Sequence, residues 1–318
     1  MSPFESLALI GVGLVVLLVG AEGLVRGAVA LALRFGLTPL VVGLTVVAFG
    51  TSSPELVVSV DAALKGNGGF AVGNVVGSNV ANLALIVGLS ALLRPLAIET
   101  KLVSWDLPVL LGSAVALVLF LLDGALARWE GAVLALGIVA YVVISVRASR
   151  QAARTVELPE EVREEMAQTE RPLWRSLLFV GAGLGLLVLG AEWLLAGAVG
   201  LATRMGVSEA VIGLTLVAFG TSLPELATTV VAAVRKQGEV ALGNAIGSNI
   251  FNTLGVLGPA ALVAPMSRDG VGDGALLVML GVSLLTLLLL WSGYRARRWE
   301  GALLLVVYVV YLWWVIAG

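Results

Sequence analysis

Apolar residues occur along the chain in long blocks, separated by short polar or glycine-rich stretches. Ten blocks are long enough to cross the hydrocarbon core of a bilayer, which takes about 20 helical residues. This pattern predicts an all-α integral membrane protein with ten transmembrane helices. The predicted spans lie near 7–31, 38–64, 70–93, 104–122 and 129–147, and again near 174–200, 208–234, 240–265, 271–292 and 299–317.

The second five blocks repeat the first five. A shift of 170 residues aligns the two sets, and 13 of 16 positions are identical between Val41–Leu56 and Val211–Leu226. The predicted organisation is therefore repeat 1 (1–147), a polar linker (148–172) and repeat 2 (173–318). Because each repeat holds an odd number of spans, the second enters the membrane from the opposite side. Inverted repeats of this kind are typical of secondary transporters.

The distribution of positive charge predicts the orientation of the chain. If the N-terminus is outside, 15 of the 19 Lys and Arg residues fall on the cytoplasmic side. Cytoplasmic loops carry an excess of Lys and Arg, so both termini are expected outside and the linker 148–172 inside. The expected location is a plasma or inner membrane. The loops on the other side carry only Lys65, Arg128, Arg204 and Arg268.

Composition narrows the possible functions. Hydrophobic residues make up 59% of the 318 and charged residues 13%, and the chain has neither Cys nor His. This excludes disulfides, thiolate nucleophiles and soft-metal sites. A net charge of −2 leaves no basic patch for nucleic acid. We expect a transporter rather than an enzyme, with the lipid bilayer around it, no cofactor and no obligatory protein partner.

Two carboxylates interrupt the apolar blocks at matching positions. Glu55 in "GTSSPE" and Glu225 in "GTSLPE" lie near the middle of spans 2 and 7. A carboxylate at this depth costs at least a few kcal/mol unless it faces a polar site. The preceding proline lacks an N–H and frees the carbonyl four residues earlier, which is Gly50 in repeat 1. We therefore predict broken helices 2 and 7, with backbone oxygens of 48–51 and 218–221 available as ligands.

Spans 3 and 8 each carry a polar stripe in "GNVVGSNVAN" and "GNAIGSNIFN". The stripe residues recur every four positions and share one helix face. Their amides and hydroxyls, the two carboxylates and the freed carbonyls are all hard oxygen donors, which favour Ca²⁺ and Na⁺. Of the asparagines, Asn74 and Asn244 are favoured for a structural role. The stripes consist of Asn74, Ser78 and Asn82, and of Asn244, Ser248 and Asn252.

Four other acidic residues are less informative. Glu22 and Glu192 occupy matching "GAE" positions on spans 1 and 6, where an interface, packing or gating role is open. Glu22 has Arg26 one helical turn later, whereas Glu192 has an alanine there. Asp106 and Asp273 begin their predicted spans, as helix-start residues do.

The motif pair, each followed by "GNxxGSN", resembles the two alpha-repeats (about 38–93 and 208–265) of the cation/Ca²⁺ exchanger superfamily. The resemblance is strongest to its prokaryotic sodium/calcium exchanger branch. It implies a central ion site formed by spans 2, 3, 7 and 8, with spans 1 and 6 as a sliding gate. It also implies Ca²⁺ and Na⁺ positions that overlap. The implied ion ligands are Glu55, Glu225, Thr51, Thr221, Ser52, Ser222, Ser78, Ser248, Asn82, Asn252, Ala48 and Ala218.

The expected function is secondary active antiport of Na⁺ against Ca²⁺ by alternating access, at a midplane site built from both repeats. A H⁺/Ca²⁺ antiporter of the same superfamily is the near alternative. A cation channel and a purely structural membrane protein also stay open. Where some relatives have Asp, this chain has Asn252, which argues against a K⁺ requirement and leaves the stoichiometry open.

Overall fold

The computed structural model describes residues 2–155, 172–205, 218–291 and 293–317. Within these ranges, eight helices are long and apolar enough to cross a membrane, and one bent pair of shorter helices makes a ninth. The predicted all-helical, multi-pass membrane architecture is thereby confirmed. The count of ten spans stays a prediction, because residues 208–217 of the predicted seventh span lie outside the described part.

The helices follow the predicted blocks in order. The first, α1, starts with a capping box in which Ser2 and Glu5 bond each other's backbone N–H, and ends at Gly36. Gly36 has φ 61°, which glycine adopts at low cost. Repeat 1 contains α1 (Pro3–Phe35), α2 (Pro39–Thr51), α3 (Ser53–Leu64), α4 (Gly68–Leu93), α5 (Leu102–Asp123) and α6 (Arg128–Thr155). Repeat 2 contains α7 (Leu173–Arg204), α8 (Ala218–Thr221), α9 (Leu223–Val234), α10 (Gly238–Val263), α11 (Asp273–Trp291) and α12 (Arg298–Ala317).

The predicted linker is only partly described. Helix α6 continues to Thr155, beyond the predicted span end at 147. Residues 156–171 of the predicted linker 148–172 lie outside the described part. The division into two repeats and a linker therefore stays a prediction at its boundaries.

Two short antiparallel sheets join the loops of the two repeats. Strand β1 (Leu96–Ala97) pairs with β4 (Arg295–Ala296), and β2 (Ala125–Leu126) pairs with β3 (Met266–Ser267). The first pair links the loops after α4 and α11, and the second links those after α5 and α10. Each loop thus meets a loop that the predicted alternation of an inverted repeat assigns to the same side of the membrane.

A bend separates α2 from α3 in the predicted second span. The two helix axes differ by 45° across Ser52, and Pro54 occupies the first turn of α3, where a missing N–H is tolerated. The Ser53 hydroxyl donates to the Gly50 carbonyl at 2.7 Å. The neighbouring serine thus replaces the donor that the proline removes, and the use of the Gly50 carbonyl as an ion ligand stays a prediction. Leu223 stands at the position of Ser53 in repeat 2 and cannot donate.

Helices α1 and α7 pack along most of their lengths through a seam of glycines. Gly13 and Gly20 on α1 match Gly183 and Gly190 on α7 in the repeat register, and a spacing of seven keeps each set on one face. A Cβ on Gly20 would lie 2.7 Å from the Leu187 backbone nitrogen. The two backbones are therefore in direct contact, and we call α1 and α7 together the gate pair.

The two aspartates expected at helix starts differ. Asp273 begins α11 as predicted. Asp106 does not begin a helix, because α5 starts at Leu102 with a π-helical turn that carries Asp106 inward. Its carboxylate is buried and accepts a hydrogen bond from the Tyr141 hydroxyl at 3.0 Å. The helix-start interpretation of Asp106 is wrong, since it is part of the contact between α5 and α6.

Glu99, next to β1, is expected to give the protein a pH-dependent stability. Glu99 and Glu239 line a cavity of about 370 Å³. Burial first, and then repulsion by Glu239, raises the pKa of Glu99 from 4.5 to about 7. The folded state therefore holds this proton more tightly than the unfolded chain, so stability falls as pH rises from about 4.5 to about 7.

We expect Glu99→Gln to remove this part of the pH dependence and to raise the Tm measured in detergent near pH 8. The exposed carboxylate variant Asp61→Asn is the control and should keep the wild-type profile. An unchanged slope of Tm against pH in Glu99→Gln would contradict the prediction.

Candidate ion-binding site

The two motif glutamates lie at the starts of two half-helices. Glu55 is in the first turn of α3 and Glu225 in the first turn of α9. Both side chains are fully buried, and the charge of Glu225 acts on Glu55. The free N–H groups of a helix N-terminus favour an anion. The sequence thus places each carboxylate where the backbone itself stabilises negative charge.

Hydroxyls of one repeat contact the other repeat at this point. The Ser52 hydroxyl donates to Glu225 Oε1 at 3.1 Å. The Ser222 hydroxyl donates to Ser78 Oγ at 3.2 Å. All four side chains are buried. Side chains of both repeats therefore meet in one polar cluster, at the place where the sequence predicts a shared site.

The asparagines at the start of each polar stripe orient the threonines. Thr51 Oγ1 donates to Asn244 Oδ1 at 3.1 Å, and Thr221 Oγ1 donates to Asn74 Oδ1 at 3.4 Å. The Asn244 amide also donates to the backbone carbonyl of Glu225 at 3.3 Å. This agrees with the structural role favoured for the two asparagines. They hold the hydroxyls that border the carboxylates.

Several oxygens at the site are buried without a hydrogen-bond donor. Both carboxylate oxygens of Glu55 and Oε2 of Glu225 lack a partner among the described residues. Thr221 and Ser222 face Glu55 closely enough to interact with it electrostatically. A buried carboxylate without a partner is costly, and a bound cation would remove that cost.

Asn82 and Asn252 occupy matching π-helical turns. The turns are Ala81–Val87 in α4 and Phe251–Val256 in α10. Both side chains are fully buried, and neither amide has a partner in the described ranges. Isolated π turns occur frequently at functional sites because they redirect side chains. No described hydrogen bond joins these amides to the carboxylates, so their role as ligands stays a prediction.

The remaining predicted ligands lie at the edge of this cluster. Ser248 Oγ is 3.5 Å from Thr51 Oγ1. Ala48 is buried, but its carbonyl already accepts the Ser52 N–H at 2.9 Å. Ala218 begins α8. Four cross-repeat hydrogen bonds thus join Thr51 to Asn244, Ser52 to Glu225, Thr221 to Asn74 and Ser222 to Ser78.

The donors fit a hard cation with flexible coordination. Among the described residues, no group of three or more His, Cys, Asp or Glu side chains could hold a metal. The site instead combines two carboxylates with neutral hydroxyl, amide and carbonyl oxygens. Ca²⁺ takes six to eight such oxygens in variable geometry, whereas Mg²⁺ requires a stricter octahedron.

One contact near the site was not predicted. The Asn79 amide donates to Thr253 Oγ1 at 3.0 Å and joins α4 to α10. Asn79 directly follows Ser78 of the predicted stripe, within "GSN". Its recurrence as Asn249 was the signal that could have identified it, and the Asn249 amide instead donates to the Ala245 carbonyl at 2.8 Å.

A family model described as "Sodium/calcium exchanger protein" matches residues 5–147 and 175–317. The two matches cover both repeats and most of the chain. The chain belongs to the sodium/calcium exchanger family. This confirms the resemblance on which the predicted ligands depend, although it does not test the individual residues.

Relatives in this family are similar over nearly their full lengths. The sodium/calcium exchanger MaX1 of Methanosarcina acetivorans is 33% identical over 336 residues, covering 94% of this chain and 95% of the relative. The inner membrane protein YrbG of Escherichia coli is 37% identical over 314 residues, covering 96% of each.

A solved structure has the same fold. It is the sodium-calcium exchanger NCX_Mj soaked with 10 mM Na⁺ and 10 mM Sr²⁺. It superimposes with a TM-score of 0.84 at 31% identity and covers 98% of each chain. The superposition therefore extends over both repeats of this chain.

Proposed function

We propose that this protein is a secondary antiporter that exchanges Na⁺ for Ca²⁺ at the site between the repeats. The observation that carries the proposal is the pair of buried glutamates, whose three unpartnered oxygens lie where the two repeats meet. The family supports it, since its model is described as a sodium/calcium exchanger protein and the relative MaX1 is named a sodium/calcium exchanger.

The ions compete for the same carboxylates. One Ca²⁺, or two Na⁺, balances the charge of Glu55 and Glu225, so binding of one ion species displaces the other. We assign Ca²⁺ to both glutamates and the carbonyls of Thr51 and Thr221. One Na⁺ takes oxygens of Ser52, Ser78, Thr221, Glu225 and Ala218, another takes those of Thr51, Ser222, Ser248, Glu55 and Ala48, and Asn82 and Asn252 border the centre.

Alternating access follows from the proposed arrangement. The full fold has ten spans, with spans 2 and 7 both broken, and the gate pair slides across the core helices. Both termini lie outside and 148–172 lies in the cytoplasm, as the Lys and Arg distribution indicates. Three Na⁺ against one Ca²⁺ would move one net charge, worth about 2.3 kcal/mol per 100 mV.

The test is Ca²⁺ uptake into proteoliposomes loaded with Na⁺. We expect uptake to require the outward Na⁺ gradient and to stop when K⁺ replaces Na⁺ inside. Uptake that ignores the Na⁺ gradient would contradict Na⁺ coupling. Uptake driven by a pH gradient alone would instead indicate H⁺/Ca²⁺ antiport, and single-channel currents would indicate a channel.

A further inference from the structure

Glu22 connects the gate pair to the core. Its carboxylate accepts from Arg26 Nε at 2.5 Å on the same helix, the pairing that their spacing predicts. It also accepts from Arg235 Nε at 2.9 Å, directly after α9. Three-quarters of the Glu22 side chain is buried. This is an ion pair between α1 and the core, on the side predicted to be cytoplasmic.

The repeat register defines a second, equivalent pair. A shift of 170 residues converts Glu22 into Glu192 on α7 and relates Arg235 to Lys65 after α3. In this structure, Lys65 binds Asp61 at 2.6 Å instead. Glu192 is exposed and forms no ion pair with the residues described. One of the two symmetry-related pairs is formed and the other is open.

Burial of the core helices shows the same asymmetry. Ala227 on α9 is 5% exposed, whereas its counterpart Val57 on α3 is 68% exposed. Helix α1 packs against α9, and α7 makes no comparably extensive contact with α3 among the described residues. When an inverted-repeat transporter turns to the other side of the membrane, its two halves exchange their arrangements.

We propose that the two ion pairs form in alternation. Glu22–Arg235 closes the predicted cytoplasmic side in this structure, and Glu192–Lys65 closes the opposite side once the gate pair has moved. This inference rests on the proposed alternating access. Because the glycine seam joins α1 to α7, the movement that separates Glu22 from Arg235 brings Glu192 towards Lys65.

The two pairs are not equally strong. Arg26 stays within reach of Glu22 in either state, whereas Asp61 competes with Glu192 for Lys65. The equivalents of Arg26 and Asp61 in the other repeat are Ala196 and Val231, which carry no charge. Each of the two effects therefore acts on one ion pair and has no counterpart at the other. Because Asp61 weakens the Glu192–Lys65 pair, it favours the state in which the Glu22–Arg235 pair is formed.

Cross-linking tests the alternation, and the chain has no cysteine of its own. The variants E22C/R235C and E192C/K65C are treated with a short bismaleimide in proteoliposomes under opposed Na⁺ and Ca²⁺ gradients. We expect intramolecular cross-links, detected by mass, in both double variants and in neither set of single variants. A cross-link in E22C/R235C alone, in protein that still exchanges ions, would overturn the proposal.

The same variants separate this proposal from the proposed function. Cross-linking of both pairs without any Na⁺-dependent Ca²⁺ flux would leave the alternation standing and contradict the transport function. Na⁺-dependent Ca²⁺ flux without a cross-link between positions 192 and 65 would support the transport function and contradict the alternation of the ion pairs.

A charge substitution tests whether the ion pair itself stabilises one state. In the E192C/K65C background, we expect Arg235→Gln to raise the cross-linking rate about two- to five-fold, the range of a partly exposed ion pair. Lys236→Gln removes the neighbouring charge, which pairs with no carboxylate among the described residues, and should leave the rate unchanged. Equal rates in Arg235→Gln and its background would overturn this role of Glu22–Arg235.

Discussion

Glu225→Gln is expected to reduce Na⁺-driven Ca²⁺ uptake by about 100-fold or more while raising the stability of the ion-free protein. The substitution keeps the shape of the side chain but removes one of the two charges that balance Ca²⁺, and Ca²⁺ affinity depends on the number of charged ligands. The same carboxylate is buried with Oε2 unpartnered, so its charge destabilises the empty site. Transport and ion-free stability should therefore change in opposite directions.

The measurements are Ca²⁺ uptake into proteoliposomes and Tm in detergent with and without Ca²⁺. Wild-type protein should gain Tm on addition of Ca²⁺, because a ligand that binds only the folded state stabilises it. That gain should disappear in Glu225→Gln and in its repeat partner Glu55→Gln. Asp123→Asn, an exposed carboxylate at the end of α5, should keep both uptake and the Tm gain. Wild-type uptake in Glu225→Gln would rule out the assigned Ca²⁺ ligand.

The location of the polar cluster was predictable because both repeats carry the same glutamate-containing motif. Glu55 and Glu225 are charged residues in apolar blocks, where charge is rare enough to indicate a site. Their nearly identical surroundings in Val41–Leu56 and Val211–Leu226 predict a shared location at the repeat interface. The Ser52–Glu225 hydrogen bond between the repeats agrees with this prediction.

Contacts that depend on a single side chain were not predictable. Proline chemistry indicates that Gly50 loses a donor, but not that the hydroxyl of Ser53 replaces it. The Tyr141 hydroxyl bonds Asp106 from 35 residues away, through packing of α5 on α6 that no local pattern specifies. Such pairings depend on the rotation and register of each helix. Hydrophobic periodicity indicates which face of a helix is buried, but not which side chains on that face meet.

The conformational state was not predictable for a different reason. Val57 and Ala227 occupy equivalent positions in the two repeats, and the repeat pattern alone does not specify which state of the gate the structure adopts. The difference in their exposure belongs to one state, in which α1 covers α9. Only the three-dimensional arrangement distinguishes the Glu22–Arg235 pair from the open pair related to it.

Gly20→Ala is expected to lower Ca²⁺ uptake by about ten-fold or more and to lower the Tm by several degrees. In a helix, alanine is intrinsically better than glycine by about 1 kcal/mol, so a loss must come from packing. The new Cβ would lie 2.7 Å from the Leu187 backbone nitrogen and 2.8 Å from the Gly183 carbonyl oxygen. Backbone atoms cannot rotate away, so α1 and α7 have to separate, and the gate pair no longer moves as one body.

The control is Gly11→Ala on the same helix, where a Cβ meets nothing within 4 Å. Gly11→Ala should leave Ca²⁺ uptake unchanged, and its Tm should equal or exceed that of the wild-type protein. Gly190→Ala, whose Cβ would lie 2.5 Å from the Leu17 backbone nitrogen, should reproduce the Gly20→Ala defect from the other helix. Since both variants act on one interface, the double variant should lose less than the two single losses added together. Wild-type uptake and Tm in Gly20→Ala would mean that the seam tolerates separation, and that the two gate helices need not move together.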